Sequence, residues 1–535
     1  MPEASLHVLI SDPLPPDARG LLEETGHIRV TEQREGIEEL LPVIHGWILR
    51  SGTRITADLL ELATELRCIC RAGAGVDNID REAATRRGVV VMNTPDANSR
   101  AAAEHTIALL LALARNVPFA HATMAKGGWD KSAYVGVEVE GKHLGIVGLG
   151  KIGRIVARKA RGLGMEVIGV DPFVSPEVAA GLGVELSTLE AMLPRVDFLA
   201  LHTPLTDGTR GLINKESVAR CRRGIRIINC SRGGVVDEAA LLEALESGQV
   251  AGAALDVYAK EPPLESSPLR NHSSIVTTPH LGASTVEAQE KVATLSAQQV
   301  RDYLLSGTVV NAVNTASLAG DEWALREPVA HLAFRVGCLQ GQLLDAQPRS
   351  ITIEVEEPDA SDAVERLLAD HALAGFLQAG SEEPVNSVNA RYLARERGID
   401  VSVRRAGGGG SFTRSVRVDV AFEESTRRVD GAVVGRRTQR LVRVDEFPLD
   451  SALEGPLLIT YSVDQPGTLG RIATFLGERG LNIASMSLGR DRVGGRALAV
   501  FQLDSEASAG FLRELGGVEG VTSARFVQLS EPERA

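Results

Sequence analysis

The glycine-rich segment Gly148-Leu149-Gly150-Lys151-Ile152-Gly153 constrains the fold of this 535-residue chain more than any other feature. It follows the apolar segment HLGIVG and precedes the helix-forming sequence KIGRIVARKARGL. Glycines in this context allow a tight turn, a close approach of the backbone to a pyrophosphate and close packing of helix on strand, while the helix N-terminus supplies oriented amides. The GxGxxG pattern therefore predicts a dinucleotide-binding βαβ unit.

A carboxylate ends the next predicted strand. Asp171 closes the segment MEVIGVD, eighteen residues after Gly153. A carboxylate at that place can accept hydrogen bonds from the adenosine ribose hydroxyls and repel a 2′-phosphate, so NAD is predicted rather than NADP. The alternative, a glycine turn that binds no ligand, is disfavoured by the combination of strand, helix and terminal acid.

Short apolar segments alternate with helix-forming stretches in two parts of the chain. One part covers residues 6–91, and the other holds six strand-like segments after a predicted buried helix at Ser99–Ala114. This rhythm is typical of open parallel sheets in α/β proteins. We predict a Rossmann-like doubly wound domain at 99–283. We also predict a flavodoxin-like substrate-binding domain that is discontinuous, at 1–98 and 284–316, because a helix at 286–305 returns the chain to it.

The pattern changes after residue 316. Residues 317–454 combine the strand-like ITIEVE, a helix at 362–369 and a glycine-rich hinge at 406–411, which together predict an α+β regulatory domain. Residues 455–530 read strand, helix, strand, strand, helix, strand. That βαββαβ order predicts a ferredoxin-like module.

Composition excludes several classes of protein. The chain has 57 basic and 70 acidic residues, a net charge of −13, which is the wrong sign for general binding to nucleic acid or anionic membranes. The longest apolar run, at 107–114, is far shorter than the roughly 20 residues that span a bilayer. Five scattered cysteines without a CxxC pair offer no metal site and suit a reducing compartment. We therefore expect a cytoplasmic protein without a metal.

Three polar residues follow strands of the second series. His280 lies in TTPHLGAST, Glu261 in AKEPP and Arg232 in SRGG. Oxidation of an alcohol needs a base, and a carboxylate beside an imidazole stabilises its protonated form, whereas a guanidinium grips a substrate carboxylate in two places. Each residue alone has a structural interpretation. Together at the ligand-binding rim of a nucleotide-binding sheet they predict hydride transfer to NAD.

Six segments carry a family resemblance: RAGAGVDNID (71–80), GLGKIG (148–153), HTPLT (202–206), INCSRGGVVDE (228–238), AGAALDVYAKEPP (251–263) and TPHLGAST (278–285). They resemble the signature segments of the NAD-dependent D-2-hydroxyacid dehydrogenases. With its two C-terminal domains the chain is similar, over essentially its whole length, to the long members that act on 3-phosphoglycerate. The resemblance implies oxidation of that substrate to 3-phosphohydroxypyruvate, the first step of phosphorylated L-serine biosynthesis.

The resemblance also implies roles for single residues. His280 would be the acid and base, Glu261 its partner, and Arg232 the holder of the substrate carboxylate. Besides the glycines, the implied NAD site comprises Lys151, Ile152, Asp171, Thr203, Cys230, Asp256 and Ala283, with Asp256 placed to orient the carboxamide. The implied substrate site comprises Arg50, Ser51, Arg71, Gly73 and Asn98. The family's arginine shortly after Trp129 is missing, because Asp130 and Lys131 follow here.

The last module resembles an ACT domain, an amino-acid sensor, through DQPG (464–467) and LNI (481–483). The resemblance implies a homo-oligomer, a dimer or tetramer, in which apposed modules bind L-serine near Asp464 and Asn482. The alternative is an ACT domain that only holds chains together.

Two other functions compete with this interpretation. One is a D-2-hydroxyacid dehydrogenase acting on hydroxypyruvate, glyoxylate or 2-oxoglutarate, which carry no phosphate. The other is an NAD-sensing scaffold without turnover, which the presence of His280, Glu261 and Arg232 argues against.

Overall fold

The computed structural model describes residues 6–529 except 96, 319, 345, 382–383, 407–410, 424 and 506–508. Most of the glycine-rich hinge predicted at 406–411 therefore lies outside the described residues. The chain divides into two compact units, one made of Met1–Asn93 with Thr294–Ala535 and the other of Thr94–Ala293.

The N-terminal part of the first unit is a five-stranded parallel sheet in the order β2-β1-β3-β4-β5. Its strands are β1 (Leu6–Ile10), β2 (Ile28–Glu32), β3 (Gly46–Leu49), β4 (Cys68–Arg71) and β5 (Val90–Asn93), and its helices are α1 (Asp17–Glu23), α2 (Ala57–Leu62) and α3 (Arg81–Arg86). The strand order is the flavodoxin-like order, as predicted. Trp47 on β3 is fully buried in the core of this sheet.

The second unit contains a seven-stranded parallel sheet in the order β12-β11-β10-β9-β6-β7-β8. Its helices are α4 (Ser99–Ala114), α5 (Val117–Ala125), α6 (Lys151–Gly162), α7 (Pro176–Gly181), α8 (Leu189–Met192), α9 (Lys215–Arg220) and α10 (Glu238–Glu246). Helix α11 (Val286–Ser306) begins in this unit, and its residues from Thr294 onward belong to the first unit. Its strands are β6 (His143–Val147), β7 (Glu166–Val170), β8 (Glu185–Leu186), β9 (Phe198–Leu201), β10 (Ile225–Asn229), β11 (Val250–Leu255) and β12 (Ile275–Thr277). This is the Rossmann order extended by one strand, with its switch point between β6 and β9. The sequence predicted six of these strands and missed the two-residue β8.

Helix α4 runs through the interior of the second unit. Nine of its residues are buried, among them Leu109, Leu110 and Leu113. Among the described residues no single helix has the length and apolarity needed to cross a membrane, although α4 and α5, which meet at 66°, pass that test as a bent pair.

The regulatory region begins with the long helix α12 (Gly320–Gln342) and holds a six-stranded mixed sheet in the order β14-β13-β15-β16-β17-β18. Its other elements are β13 (Ser350–Glu356), α13 (Asp362–Gln378), α14 (Ala390–Glu396), β14 (Asp400–Arg405), β15 (Ser415–Ala421), β16 (Thr426–Val434), β17 (Thr438–Val444) and β18 (Phe447–Ala452). Helices α12 and α13 pack in backbone contact, because a Cβ on Gly337 would lie 1.9 Å from the Ala372 carbonyl oxygen and one on Gly375 would lie 2.0 Å from that of Phe334. Helix α13 extends to Gln378, beyond the predicted end at residue 369.

The C-terminal module is a four-stranded antiparallel sheet in the ferredoxin-like order β20-β21-β19-β22. Its elements are β19 (Gly455–Val463), α15 (Thr468–Glu478), β20 (Ile483–Arg490), β21 (Arg496–Leu503), α16 (Ala509–Leu515) and β22 (Val521–Leu529). One face of the sheet packs against its own helices. Leu457 and Val527 on the other face share an apolar core with Leu332 and Val416 of the regulatory region, so the module is not structurally separate from it.

Candidate active site

The glycine loop joins the end of β6 to the start of α6. Gly148 has a φ of 94°, in the left-handed region, and a Cβ there would lie 2.5 Å from the carbonyl oxygen of His202. A Cβ on Gly153 would lie 2.0 Å from the carbonyl oxygen of Gly148, so glycine is needed where the helix starts against the strand. A Cβ on Gly150 would meet no atom within 4 Å. The loop is therefore packed on its inner side and open at Gly150, as a pyrophosphate at the α6 amides requires.

Two buried polar atoms beside this loop make no hydrogen bond with the described residues. They are Thr203 Oγ1 and His202 Nε2, both after β9. The Thr203 methyl group lies 3.2 Å from where a Cβ on Gly148 would be, which places Thr203 at the loop. Burial lowers the pKa of His202 to about 4, so its imidazole is neutral. Buried polar atoms normally have partners, and a bound dinucleotide would give Thr203 one, so these residues fit NAD.

Asp171 follows β7 directly and is tied to the glycine loop. Its Oδ2 accepts a hydrogen bond from the Leu149 backbone N–H at 2.8 Å, and its Oδ1 accepts one from the Phe173 backbone N–H at 2.8 Å. A carboxylate has about four acceptor positions, so two remain for ribose hydroxyls. Lys151 and Ile152 form the first turn of α6 beside it.

His280 and Glu261 form a hydrogen-bonded pair. Nδ1 of His280 lies 2.7 Å from Oε2 of Glu261, and the two side chains are 44% and 36% exposed. Burial raises the pKa of Glu261, but the hydrogen bond and charge of His280 and the charge of Arg232 outweigh it, so this pKa lies below its usual value. The carboxylate therefore accepts the Nδ1 proton, which leaves Nε2 to exchange a proton with a substrate.

Arg232 lies in the loop after β10, and its Nη1 donates to the Ser231 carbonyl oxygen at 2.7 Å. The next residue, Gly233, packs directly on the loop of Glu261, because a Cβ on Gly233 would lie 1.9 Å from the carbonyl carbon of Tyr258. Strands β10, β11 and β12 are neighbours in the parallel sheet. The three predicted catalytic residues thus lie in adjacent loops at one edge of the sheet.

Cys230 is the first residue after β10 and packs against the apolar core that includes residues of α4 and α6. Burial raises the pKa of its thiol to about 12. Since the thiolate is the nucleophilic form of cysteine, Cys230 is a packing group at neutral pH.

Asp256, which follows β11 and is fully buried, is hydrogen-bonded to the loop that carries His280. Its carboxylate accepts hydrogen bonds from Thr278 Oγ1 at 2.6 Å and from the backbone N–H groups of Leu281 at 2.7 Å and Gly282 at 2.8 Å. His280 has a φ of 56°, a left-handed conformation that costs a non-glycine residue about 1–3 kcal/mol. Ala283 continues the same loop. Among the described residues no three His, Cys, Asp or Glu side chains form a group that could hold a metal ion.

Two residues near the site were missed by the sequence analysis. His105, on α4, lies with its Nε2 3.2 Å from both Asp256 Oδ1 and Thr278 Oγ1. Thr278 could have been found, because it directly precedes Pro279 and His280 after a strand. His105 gave no signal, since it lies far away in the sequence within an alanine- and leucine-rich helix.

Comparison with known families agrees with this geometry. Residues 107–282 match the NAD binding domain of D-isomer specific 2-hydroxyacid dehydrogenases, residues 326–445 match the D-3-phosphoglycerate dehydrogenase intervening domain, and residues 457–520 match the ACT domain. The chain is 38% identical over 523 residues to D-3-phosphoglycerate dehydrogenase of Bacillus subtilis, covering 98% of this chain and 99% of the relative. The chain belongs to the D-3-phosphoglycerate dehydrogenase family.

Further relatives of this family extend the match. The D-3-phosphoglycerate dehydrogenase of Synechocystis is 39% identical over 524 residues, covering 98% of this chain and 94% of the relative. A solved glyoxylate reductase from Paecilomyes thermophila is 30% identical, with a TM-score of 0.54, but it covers only 58% of this chain and 99% of its own. The phosphoglycerate dehydrogenases thus match the regulatory and ACT regions as well, which supports the main prediction over the alternative hydroxyacids.

The predicted phosphate-binding residues of the first unit lie at neighbouring strand ends. Arg71 ends β4, where it is in register with Leu49 of β3, the residue before Arg50. The Arg50 backbone N–H donates to Asp12 Oδ2 at 2.7 Å, which fixes the loop carrying exposed Ser51.

Gly73, which we predicted beside Arg50 and Arg71, has a backbone conformation that residues other than glycine rarely adopt. Gly73 has a φ of 148°, and a Cβ there would collide with the Arg71 guanidinium. In the second unit, Asn98 precedes α4, and its Oδ1 is buried without a hydrogen bond to any described residue.

The predicted effector residues of the ACT module are already hydrogen-bonded. Asp464 Oδ2 accepts from the Gly494 backbone N–H at 2.9 Å and from Arg490 Nη1 at 3.3 Å. Asn482 Nδ2 donates to Asp504 Oδ2 at 2.6 Å.

Proposed function

We propose that this chain oxidises the C2 hydroxyl group of 3-phosphoglycerate and produces 3-phosphohydroxypyruvate. The observation that carries the proposal is the 2.7 Å pair of His280 and Glu261 beside Arg232, in the same unit as the glycine loop. Membership of the D-3-phosphoglycerate dehydrogenase family supports the substrate. When bound, NAD supplies the acceptor for the hydride that leaves C2.

The proton steps fall to the His280 pair. Nε2 of His280 takes the hydroxyl proton as the hydride leaves, and the resulting imidazolium keeps its Nδ1–H on Glu261. The low pKa of Glu261 suits this role, because an ionised partner stabilises the cation. In the reverse reaction the same imidazolium returns the proton. Arg232 holds the substrate carboxylate with paired N–H donors, which fixes C2 for transfer.

The substrate phosphate is assigned to the first unit, with Arg50, Ser51, Arg71 and Gly73 as its contacts and Asn98 contributing from the segment before α4. Two arginines at neighbouring strand ends support this assignment, since guanidinium groups pair well with phosphate oxygens. The NAD site is assigned to the glycine loop with Lys151, Ile152, Asp171, Thr203, Cys230, Asp256 and Ala283.

We retain the four predicted domains, at 1–98 with 284–316, 99–283, 317–454 and 455–530. The ranges of the three family models support the last three of them. L-serine is proposed as the effector of the ACT region, near Asp464 and Asn482, and the match of residues 457–520 to the ACT domain supports an effector-binding role.

A homo-oligomer, dimer or tetramer, is proposed on the basis of exposed apolar side chains. Val117, Met124, Trp129 and Val135, on and after α5, are 52–78% exposed. Apolar groups clustered on one surface segment are typical of association sites. A reducing, cytoplasmic location is supported by cysteines that form no disulfide among the described residues.

The decisive experiment measures NADH formation by the full chain with 3-phosphoglycerate, D-glycerate, glycolate and D-2-hydroxyglutarate. The last three are the reduced forms of the alternative substrates. We expect kcat/KM to be about 100-fold higher for 3-phosphoglycerate, as one or two charge-assisted phosphate contacts provide. An equal or higher kcat/KM for an unphosphorylated acid would refute the proposed substrate.

A further inference from the structure

The loop that carries His280 adopts a conformation that its own sequence does not favour. His280 has a φ of 56°, whereas an L residue other than glycine seldom enters the left-handed region. The loop is partly exposed, and His280 and Leu281 are exposed residues within it. Contacts from outside the loop must therefore keep the imidazole where Glu261 meets it.

Those contacts converge on one carboxylate. Asp256 has a side chain only 1% exposed. Its Oδ1 accepts from Thr278 Oγ1, two residues before His280, and from the backbone N–H of Leu281, the residue after it. Its Oδ2 accepts from the backbone N–H of Gly282. The carboxylate therefore ties down the chain on both sides of His280.

A third side chain contacts the same carboxylate. His105 projects from α4, and its Nε2 lies 3.2 Å from both Asp256 Oδ1 and Thr278 Oγ1. Burial raises the pKa of Asp256, yet the hydrogen bonds from His105, Thr278 and the Leu281 backbone together bring it below its usual value. Since α4 is packed inside the unit, His105 links the loop to a rigid element.

We propose that His105, Asp256 and Thr278 form a clamp that positions His280 for proton transfer. They are positioning residues, which act through the backbone of the 278–282 loop and through Asp256 rather than on the substrate. The proposal rests on the proposed function, because it gives His280 the role of acid and base. It adds a task for Asp256 that is separate from orienting the carboxamide of NAD.

The test compares full-length chains with Thr278→Val, Thr278→Ser and His105→Gln. Thr278→Val keeps the shape of the side chain and removes its hydroxyl group, whereas Thr278→Ser restores the hydroxyl. Thr460→Val is the matched control for a buried threonine, since Thr460 is fully buried on β19 and its hydroxyl group makes no hydrogen bond with a described residue. His121→Gln is the control for His105, because His121 is exposed on α5.

The first readout is kinetic. We expect Thr278→Val and His105→Gln to lower kcat about 10- to 100-fold, since a misplaced acid and base loses much of its roughly 10²–10⁴-fold contribution. KM for both ligands should change less than about threefold, because their contacts remain. The solvent deuterium isotope effect on kcat should rise as proton transfer becomes slower, and Thr278→Ser should recover most of kcat.

The second readout does not need turnover. Hydrogen–deuterium exchange of the Leu281 and Gly282 amides should become at least tenfold faster in Thr278→Val and His105→Gln, but not in either control. If exchange changes as expected while the wild type does not oxidise 3-phosphoglycerate, the result supports the clamp and refutes the proposed substrate. Unchanged exchange, an equal loss of kcat in Thr460→Val, or a failure of Thr278→Ser to recover kcat would overturn the clamp.

Discussion

The edge of the nucleotide-binding sheet and the ACT module place their candidate functional residues in opposite ways. At the sheet edge, His280, Glu261 and Arg232 come from adjacent loops of one unit, and Thr203 Oγ1 is buried beside the glycine loop without a partner among the described residues. In the ACT module, Asp464 and Asn482 already pair with their own neighbours. A preorganised catalytic site loses much when one group is removed, whereas an effector site made from paired surface groups loses little.

The largest effect is expected at the sheet edge. His280→Ala should lower kcat by about 10²–10⁴-fold, because it removes the group that takes the hydroxyl proton. NAD binding, measured by fluorescence or calorimetry, should remain, since the glycine loop and Asp171 are untouched. His121→Ala serves as the control. Normal turnover in His280→Ala would show that His280 is not the acid and base, and the contrast between the sheet edge and the ACT module would then be wrong.

A second large effect, on the free energy of unfolding, is expected from His202, whose side chain is buried and neutral. Its folded pKa of about 4 lies below the usual value of 6.5. Above pH 6.5 the His202 side chain is neutral in both the folded and the unfolded chain. As the pH falls from 6.5 to 4 the unfolded chain takes up a proton that the folded chain does not, which lowers the free energy of unfolding by up to about 3 kcal/mol.

This pH effect is measured as the urea midpoint of the wild type and of His202→Gln between pH 7 and pH 4. The variant should lose less stability on acidification than the wild type, whereas His121→Gln should follow the wild type. Parallel curves for wild type and His202→Gln would show that the pKa of His202 is not lowered in the folded chain.

An intermediate effect is expected at the phosphate. Arg50→Ala should lower kcat/KM for 3-phosphoglycerate by about 10- to 100-fold, the value of a charge-assisted hydrogen bond of about 1.5–3 kcal/mol. The value for D-glycerate should stay within about twofold. Arg54→Ala, at an exposed arginine nearby, is the control. An equal loss of kcat/KM for 3-phosphoglycerate and D-glycerate would show that Arg50 does not act through the phosphate.

The smallest effect is expected in the ACT module. Asp464→Ala in the full chain should weaken L-serine binding about fivefold in calorimetry, the equivalent of about 1 kcal/mol for one hydrogen bond. The full chain is used because the ACT sheet shares its core with the regulatory region. Glu478→Ala, at an exposed residue of α15, is the control. If L-serine binds equally well to Asp464→Ala, the effector site lies elsewhere.

Local signals made much of the fold predictable. Helix α4 was predicted with both of its ends because it is a continuous helix-forming sequence. Helices α6 and α10 were predicted with their starts because Gly150 and Asp237 directly precede them. The parallel strands were predicted because buried strands are continuous apolar runs. The two-residue β8 has too few residues to give such a pattern.

Other elements depend on contacts between distant segments. Helix α13 runs nine residues past its predicted end, since Gly375 packs against the backbone of Phe334 on α12. Helix α12 itself contains Pro328 and lacks a clear apolar face. Its length is decided by packing against α13, which no local pattern of its sequence reveals.

The sequence by itself determined the parallel sheets, the glycine loop with Asp171, and the identities of His280, Glu261 and Arg232, because backbone geometry and strand periodicity act over a few residues. Only the tertiary structure decided that Asp256, Thr278 and His105 meet beneath His280 and that the ACT sheet shares a core with its neighbour. Such contacts join residues far apart along the chain. Their geometry is fixed by the packing of whole elements, which a local pattern of residues does not encode.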